Sequence, residues 1–135
     1  MLFEAEGRIL LMRRAGTGFF DGLYSLPGGH VEAGESVTMA AQREALEELG
    51  VALPQGDLAT VGVMHRLSDT NRIDFFVRPA RWAGRPVIGE PDKCDDLAWF
   101  ARDDLPDGVV PYIRRALLTP LAEPWVIEDG WPGPA

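Results

Sequence analysis

The chain has 135 residues, a formal net charge of −8 and one cysteine, Cys94. A single cysteine excludes an intrachain disulfide and fits a reducing compartment. The first residues include acids where a signal peptide would carry basic residues and an apolar stretch, so we predict a cytoplasmic protein. No apolar run reaches the roughly 20 residues of a membrane-spanning helix, and the acidity excludes long nucleic acid as a partner, because that binding needs a basic surface. The length suits a single domain, residues 1–135.

The first part of the chain predicts short strands. Residues 8–12 form an apolar run of strand length, and residues 2–6 are its expected hairpin partner, with the turn at Glu6 and Gly7. Residues 15–22 are glycine-rich and predict a loop. A further short strand is expected at residues 23–26.

A helix is predicted at residues 36–49, since Glu35 and Ser36 suit its start and Gly50 suits its C′ position. Further predictions are strands at 58–64, 73–78 and 97–100 and a helix at 112–121, with Pro111 in its first turn. The tail from about residue 122 is rich in proline and glycine and is expected to be partly mobile. Strands mixed with two helices indicate an α/β sandwich around a mixed sheet.

Three glutamates of the first helix, Glu44, Glu47 and Glu48, are spaced i, i+3, i+4 and therefore lie on one face. Their repulsion weakens the helix, and Arg43, the nearby cation, is expected on a different side. Carboxylates gathered without positive partners suit a hard divalent cation together with substrate phosphates. A solvated acidic face is the alternative for the three glutamates taken alone.

The helix is expected to pack on a sheet through Met39, Leu46 and Leu49. Ala40 and Ala41 flank the glutamates and are small enough for another backbone to come close. We therefore expect the acids to face a groove.

A longer spaced pattern contains these glutamates. Gly29 is followed by Glu35 and then by an unbroken run from Arg43 to Val51. Seven fixed positions at ordinary residue frequencies match by chance about once in 10⁸ to 10⁹ trials. The segment from Gly29 to Val51 resembles the Nudix box, with Ala45 where a larger aliphatic residue is frequent.

The resemblance implies a Nudix-type α/β/α sandwich with a central mixed β-sheet and a hydrolase that uses Mg²⁺ or Mn²⁺. Glu47 and Glu48 would be metal ligands, and Glu44 either a ligand or the base that activates water. Further implied roles belong to residues around the helix: the Gly28 carbonyl and Glu90 as ligands, Arg43 in catalysis, and Gly29, Glu35 and Gly50 in structure, with Glu35 paired to Arg43. An ordinary exposed acid is an equal alternative for Glu90.

Candidate substrate contacts lie outside the box. Arg13 or Arg14, at a strand end, would contact phosphate, and His65, Phe75 or Tyr112 would contact a base. The alternatives are solvated arginines, core aromatics and a strand-end histidine without a catalytic role.

The substrate follows only by elimination. The proline typical of ADP-ribose hydrolases is replaced by Leu67, and the marks of dinucleoside polyphosphate and coenzyme A hydrolases are missing from the sequence. A nucleoside triphosphate, cut to monophosphate and pyrophosphate, is thus favoured over ADP-ribose, a sugar nucleotide or RNA 5′ ends, and over a silent nucleotide-binding module.

Family members usually begin their first strand before the point where Met1 stands, so either the start is truncated or a partner covers the gap, and a homodimer is expected.

Overall fold

The computed structural model describes residues 1–133. The elements in chain order are β1 (Glu4–Ala5), β2 (Arg8–Arg14), β3 (Tyr24–Ser25), α1 (Val37–Leu49), β4 (Leu58–Leu67), β5 (Asn71–Pro79), β6 (Cys94–Ala101), α2 (Pro111–Leu118) and β7 (Trp125–Asp129). Neither helix in this part of the chain is long and apolar enough to cross a membrane.

Four strands form an antiparallel sheet in which β2 pairs with β1, β3 and β6. The predicted β1–β2 hairpin is present, and its turn residues Glu6 and Gly7 have φ of 53° and 74°. Two consecutive positive φ values match the right-handed twist of a two-residue hairpin. These pairings place β2 at the centre of this sheet, and the strand ends at Arg13 and Arg14.

A second sheet has the order β5-β4-β7, with β4 antiparallel to β5 and parallel to β7. Strand β7 lies within the tail that was expected to be partly mobile, and it was not predicted. Trp125 of β7 packs over Gly62 of β4 so closely that a Cβ at Gly62 would overlap its indole ring. The Trp125 ring also lies 5.2 Å from that of Phe76.

Apolar residues pack into two clusters, one beside each helix. On β2, Ile9 and Leu11 belong to the cluster that contains Ile113 of α2, whereas Leu10 belongs to the cluster that contains Leu49 of α1. Successive strand residues point to opposite faces, so helices cover both sides of the strands. This arrangement confirms the predicted α/β fold with mixed pairing.

The packing face of α1 differs from the prediction. Met39 and Leu46 are 52% and 61% exposed, and the buried positions are Ala40, Ala41, Ala45 and Leu49. Positions 41, 45 and 49 follow the i, i+4 spacing of one helix face. Small side chains bring α1 close to the strands, and Glu44 and Glu48 flank this buried face.

The second helix is shorter than predicted. It ends at Leu118 because Thr119, which precedes Pro120, has an extended conformation with φ −83° and ψ 130°. A residue before proline is sterically disfavoured from the helical region.

Candidate active site

Both ends of α1 are closed as the sequence predicted. The Ser36 hydroxyl accepts a hydrogen bond from the Met39 N–H at 3.2 Å, and Gly50 adopts a left-handed conformation with φ 67°. A hydroxyl at the N-cap and a glycine past the end satisfy backbone groups that the helix leaves unpaired. These caps fix the helix that carries the glutamates.

The glutamates face a cavity of about 640 Å³. Its walls come from the end of β2, the loop before α1, the exposed side of α1 and the loop before β6. Predicted residues that line it are Arg13, Arg14, Gly28, Gly29, Arg43, Glu44, Glu47, Glu48 and Glu90. The structure therefore brings together the predicted metal ligands and both phosphate-contact candidates.

Arg43 lies among the acids, so the prediction that it points to a different side of the helix is wrong. Its Nη1 donates to Glu44 Oε1 at 2.7 Å and lies 3.3 Å from Glu47 Oε2. Its Nε and Nη2 donate to the two oxygens of Glu35 at 3.1 and 2.7 Å. The i, i+4 spacing of Arg43 and Glu47 favours their contact. The contact with the adjacent Glu44 depends on how the long guanidinium arm bends, which residue spacing does not reveal.

The Glu35–Arg43 pair implied by the family resemblance is thus present. Arg43 Nη2 also donates to the His30 carbonyl at 3.0 Å, and the Glu32 N–H donates to Glu35 at 2.8 Å. The bonds that Glu35 accepts, from Arg43 first and then from the Glu32 N–H, lower the pKa of Glu35. The pair braces the loop before α1 against the helix.

Glu48 is the carboxyl most affected by its surroundings. Burial raises its pKa to about 8, and contact with Glu44 adds to the rise. The Gly28 N–H donates to Glu48 Oε2 at 3.0 Å and opposes it. Two carboxylates this close need a proton or a cation between them.

Two glycines allow backbone to approach these acids. A Cβ at Gly29 would overlap the Glu44 carboxylate, and a Cβ at Gly89 would overlap the Glu47 carbonyl. The Gly89 N–H also donates to the Glu48 carbonyl at 2.8 Å. This contact holds the following residue, Glu90, at the cavity wall.

The arginines of β2 are partly engaged by their neighbours. Arg13 Nε donates to Asp95 at 2.7 Å, and Arg14 Nε donates to the Phe19 carbonyl at 2.6 Å. The Asp21 carboxylate closes the same loop by accepting a hydrogen bond from Thr17 Oγ1 at 2.5 Å. This bond is the largest cause of the lowered pKa of Asp21. Sequence analysis did not single out Asp21.

Two of the predicted base contacts lie away from the cavity. His65 bonds Asn71 at 2.7 Å and packs against Trp131, and Phe75 is 49% exposed. Both point to the side of β4 and β5 opposite Arg66, because neighbouring strand residues alternate. His65 and Phe75 therefore do not join the glutamates.

Tyr112 sits at the start of α2, under the guanidinium of Arg66. The Arg66 Cζ lies 3.9 Å from the ring centroid, and the Phe20 ring lies 6.5 Å from it. Sequence analysis did not single out Arg66. A buried arginine carries no local signal that a sequence pattern would reveal.

The donor chemistry around the cavity fits a hard divalent cation, since six carboxylate side chains line it, those of Glu32, Glu44, Glu47, Glu48, Glu90 and Asp92. Within residues 1–133, however, no three acidic, histidine or cysteine side chains are already grouped as metal ligands. The position of Arg43 between Glu44 and Glu47 accounts for this. Because oxygens are available and Glu48 is desolvated beside Glu44, the residues fit a cation once the glutamate side chains turn toward it.

Comparison with known proteins places this site in a family. The NUDIX domain model matches residues 1–119. A NAD-capped RNA hydrolase of Stutzerimonas stutzeri is 36% identical over 78% of this chain, but the match spans only 37% of that relative. An Escherichia coli 8-oxo-dGTP diphosphatase is 29% identical, with 82% of this chain and 86% of the relative covered.

Comparison with solved structures supports the same family. A MutT NUDIX hydrolase from Burkholderia pseudomallei has a TM-score of 0.78 and 34% identity, with 86% of this chain and 90% of that chain covered. The family match covers the box, both helices and strands β1 to β6, and it ends before β7. The chain therefore belongs to the Nudix hydrolase family.

Proposed function

We propose that this protein is a pyrophosphohydrolase, dependent on Mg²⁺ or Mn²⁺, that cuts a nucleoside triphosphate into a monophosphate and pyrophosphate. The observation that carries the proposal is the cavity in which Glu44, Glu47, Glu48 and Glu90 meet. Arg13 and Arg14 line the same cavity. Carboxylates for a cation and arginines for phosphates are what a polyphosphate substrate requires.

Glu44, Glu47, Glu48, Glu90 and the Gly28 carbonyl would hold the cation. When bound, it would neutralise phosphate oxygens and lower the pKa of water, which favours in-line attack. Glu47 is 49% exposed and lies 3.3 Å from Arg43 Nη1, whereas Glu44 is 13% exposed and accepts a shorter bond of 2.7 Å from the same nitrogen. Glu44 is thus the better placed of the two to keep a fixed orientation and accept a proton from water.

Arg43 has a positioning role in this proposal. Its bidentate pair with Glu35 keeps the guanidinium in place while Glu47 moves to a cation.

Arg14 lies beside the loop formed by residues 15–22 and would meet the phosphates at the mouth of the cavity.

The choice of a triphosphate is supported by the relative whose length this chain matches. The Escherichia coli relative, named for 8-oxo-dGTP, is covered over 86% of its length. The net charge of −8 argues against RNA as substrate.

A substrate panel tests the proposal. The protein is incubated with Mg²⁺, Mn²⁺ or EDTA and with deoxynucleoside triphosphates, ADP-ribose and UDP-glucose, and products are identified by ion-exchange chromatography. We expect monophosphate and pyrophosphate from a triphosphate, no turnover in EDTA, and a loss of at least about 100-fold in kcat for Glu47→Gln. The matched control, Glu123→Gln, removes an exposed acid outside the cavity and should keep wild-type turnover. Hydrolysis of none of these compounds would refute the proposal.

A second candidate is the phosphoanhydride bond of a dinucleotide such as NAD. It is favoured by the relatives named NAD-capped RNA hydrolase, one of which is 36% identical. Adding NAD to the panel decides between the two, because a kcat/KM for NAD above that of every triphosphate would replace the first candidate.

A further inference from the structure

Arg66, near the end of β4, is a buried cation with a single hydrogen-bond partner. Its side chain is only 8% exposed, and its Nε donates to Asp74 at 2.8 Å. One flat side of the guanidinium covers the Tyr112 ring at 3.9 Å. The group is therefore held in a defined plane by two neighbours.

The other two guanidinium nitrogens have no partner. No residue between 1 and 133 accepts a hydrogen bond from Arg66 Nη1 or Nη2. Nor are these atoms sealed in the interior, because in that range only Trp125 Nε1 is both unpaired and cut off from solvent. Buried arginine N–H groups are ordinarily satisfied, so this pair of donors is available to a ligand that enters from the solvent.

Neighbouring residues connect the free donors with the candidate active site. Arg66 pairs in register with Arg72 across β4 and β5, and Arg72 Nη1 lies 3.1 Å from His30 Nε2. His30 lines the cavity that holds the glutamates. On the other side, Tyr112 approaches Phe20, which belongs to the loop that Arg14 binds. A nucleotide whose phosphates occupy the cavity would extend its base toward Arg66.

The charge of this corner favours a neutral acceptor over a phosphate. Each of these charges has a partner, since Asp74 pairs with Arg66, Asp69 with Arg72, and Asp129 with Arg115. Two coplanar N–H groups match two adjacent acceptors, the pattern that guanine offers at O6 and N7. Adenine presents an amino group in place of O6, which leaves one donor facing another.

We propose that Arg66 is a specificity-determining residue that selects purines with adjacent O6 and N7 acceptors, guanine and hypoxanthine, over adenine. This assignment rests on the proposed nucleotide substrate. Tyr112 and Asp74 are positioning residues in it, since they hold the guanidinium plane.

Kinetics with three substrates test the assignment. We expect Arg66→Lys, which keeps the charge but loses the paired donors, to lower kcat/KM for dGTP and dITP by about 10- to 100-fold and for dATP by less than about 3-fold. The matched control is Arg81→Lys, because Arg81 Nε also bonds an aspartate, Asp57, at 2.6 Å but is 74% exposed. It should change none of the three values. An equal fall for all three substrates, or no fall, would overturn the assignment.

Binding of products separates this inference from the proposed hydrolysis. Isothermal titration of wild-type protein should give an affinity for dGMP about 10-fold or more above that for dAMP, and Arg66→Lys should remove the difference. Equal wild-type affinities would refute the role of Arg66. A preference for dGMP without hydrolysis of any triphosphate would support Arg66 and refute only the proposed reaction.

Discussion

Replacing Glu48 by glutamine is expected to stabilise the metal-free protein at neutral and alkaline pH. Burial, together with contact with Glu44, raises the pKa of Glu48 from the ordinary 4.5 to about 8. Glutamine keeps the size and retains an oxygen for the Gly28 N–H, but it carries no charge. The substitution thus removes the cost of a desolvated carboxylate while keeping its hydrogen bond.

The pH dependence follows from the direction of this shift. Below pH 4.5 the carboxyl is protonated in both the folded and unfolded states and costs nothing. Between pH 4.5 and 8 the unfolded chain releases the proton while the folded chain keeps it, so stability is lost at up to about 1.4 kcal/mol per pH unit. Solvent screening reduces the effect at a partly buried site, and we expect a total loss of about 2 to 4 kcal/mol by pH 8.

Urea unfolding in EDTA between pH 5 and 8.5 measures this directly. The free energy of unfolding of Glu48→Gln should rise relative to wild type as pH increases, with the largest gap near pH 8. Saturating Mn²⁺ should shrink or reverse the gap, because a cation stabilises the wild-type carboxylate. Parallel curves for the two proteins in EDTA would refute the reasoning about Glu48.

Four further substitutions test the geometry. Gly29→Ala should lower kcat/KM by at least about 10-fold with little change in secondary structure, because the added Cβ displaces the Glu44 carboxylate; unchanged kinetics would contradict the close approach. Arg43→Lys should lower the free energy of unfolding by about 1 to 3 kcal/mol in urea, because lysine cannot reproduce the bidentate pair with Glu35; a wild-type value would show that the pair is not structural. Leu49→Ala should cost about 2 to 5 kcal/mol and Leu46→Gln less than about 0.5 kcal/mol, because Leu49 is fully buried and Leu46 is exposed; similar costs would contradict the packing face of α1.

Local signals account for what the sequence predicted well. Ser36 and Gly50 mark the two ends of α1 through bonds made within a few residues, and the box spacing brings Glu44, Glu47 and Glu48 to one side of the helix. The hairpin at Glu6 and Gly7 is local in the same sense. Such features need no knowledge of the tertiary structure.

Features that depend on distant residues were missed. Strand β7 forms only by pairing in parallel with β4, about 60 residues earlier in the chain, so its short sequence between prolines and glycines carried little signal. The packing face of α1 was assigned to the largest apolar residues, Met39 and Leu46, whereas close contact with the strands selects alanines. Hydrophobicity alone does not distinguish these two faces.

Strand register explains the missed base contact. His65 and Arg66 are neighbours, but a shift of one residue places a side chain on the opposite face of a sheet. Sequence analysis named the histidine as a candidate because of its chemistry, beside the alternative of a strand-end histidine without a catalytic role, and the structure places the arginine beside Tyr112. Only the pairing of β4 with β5 decides which of these two side chains points toward α2.

The most direct test of the glutamate cluster is a Mn²⁺ titration followed by electron paramagnetic resonance. Wild-type protein and Glu123→Gln should bind Mn²⁺ with equal affinity. The triple variant Glu44→Gln, Glu47→Gln, Glu48→Gln should bind at least about 100-fold more weakly, because loss of ligands exceeds the 10- to 100-fold cost of losing outer contacts. Circular dichroism confirms that each variant is folded. A folded triple variant with wild-type affinity for Mn²⁺ would contradict the account, because the cation would then be bound elsewhere.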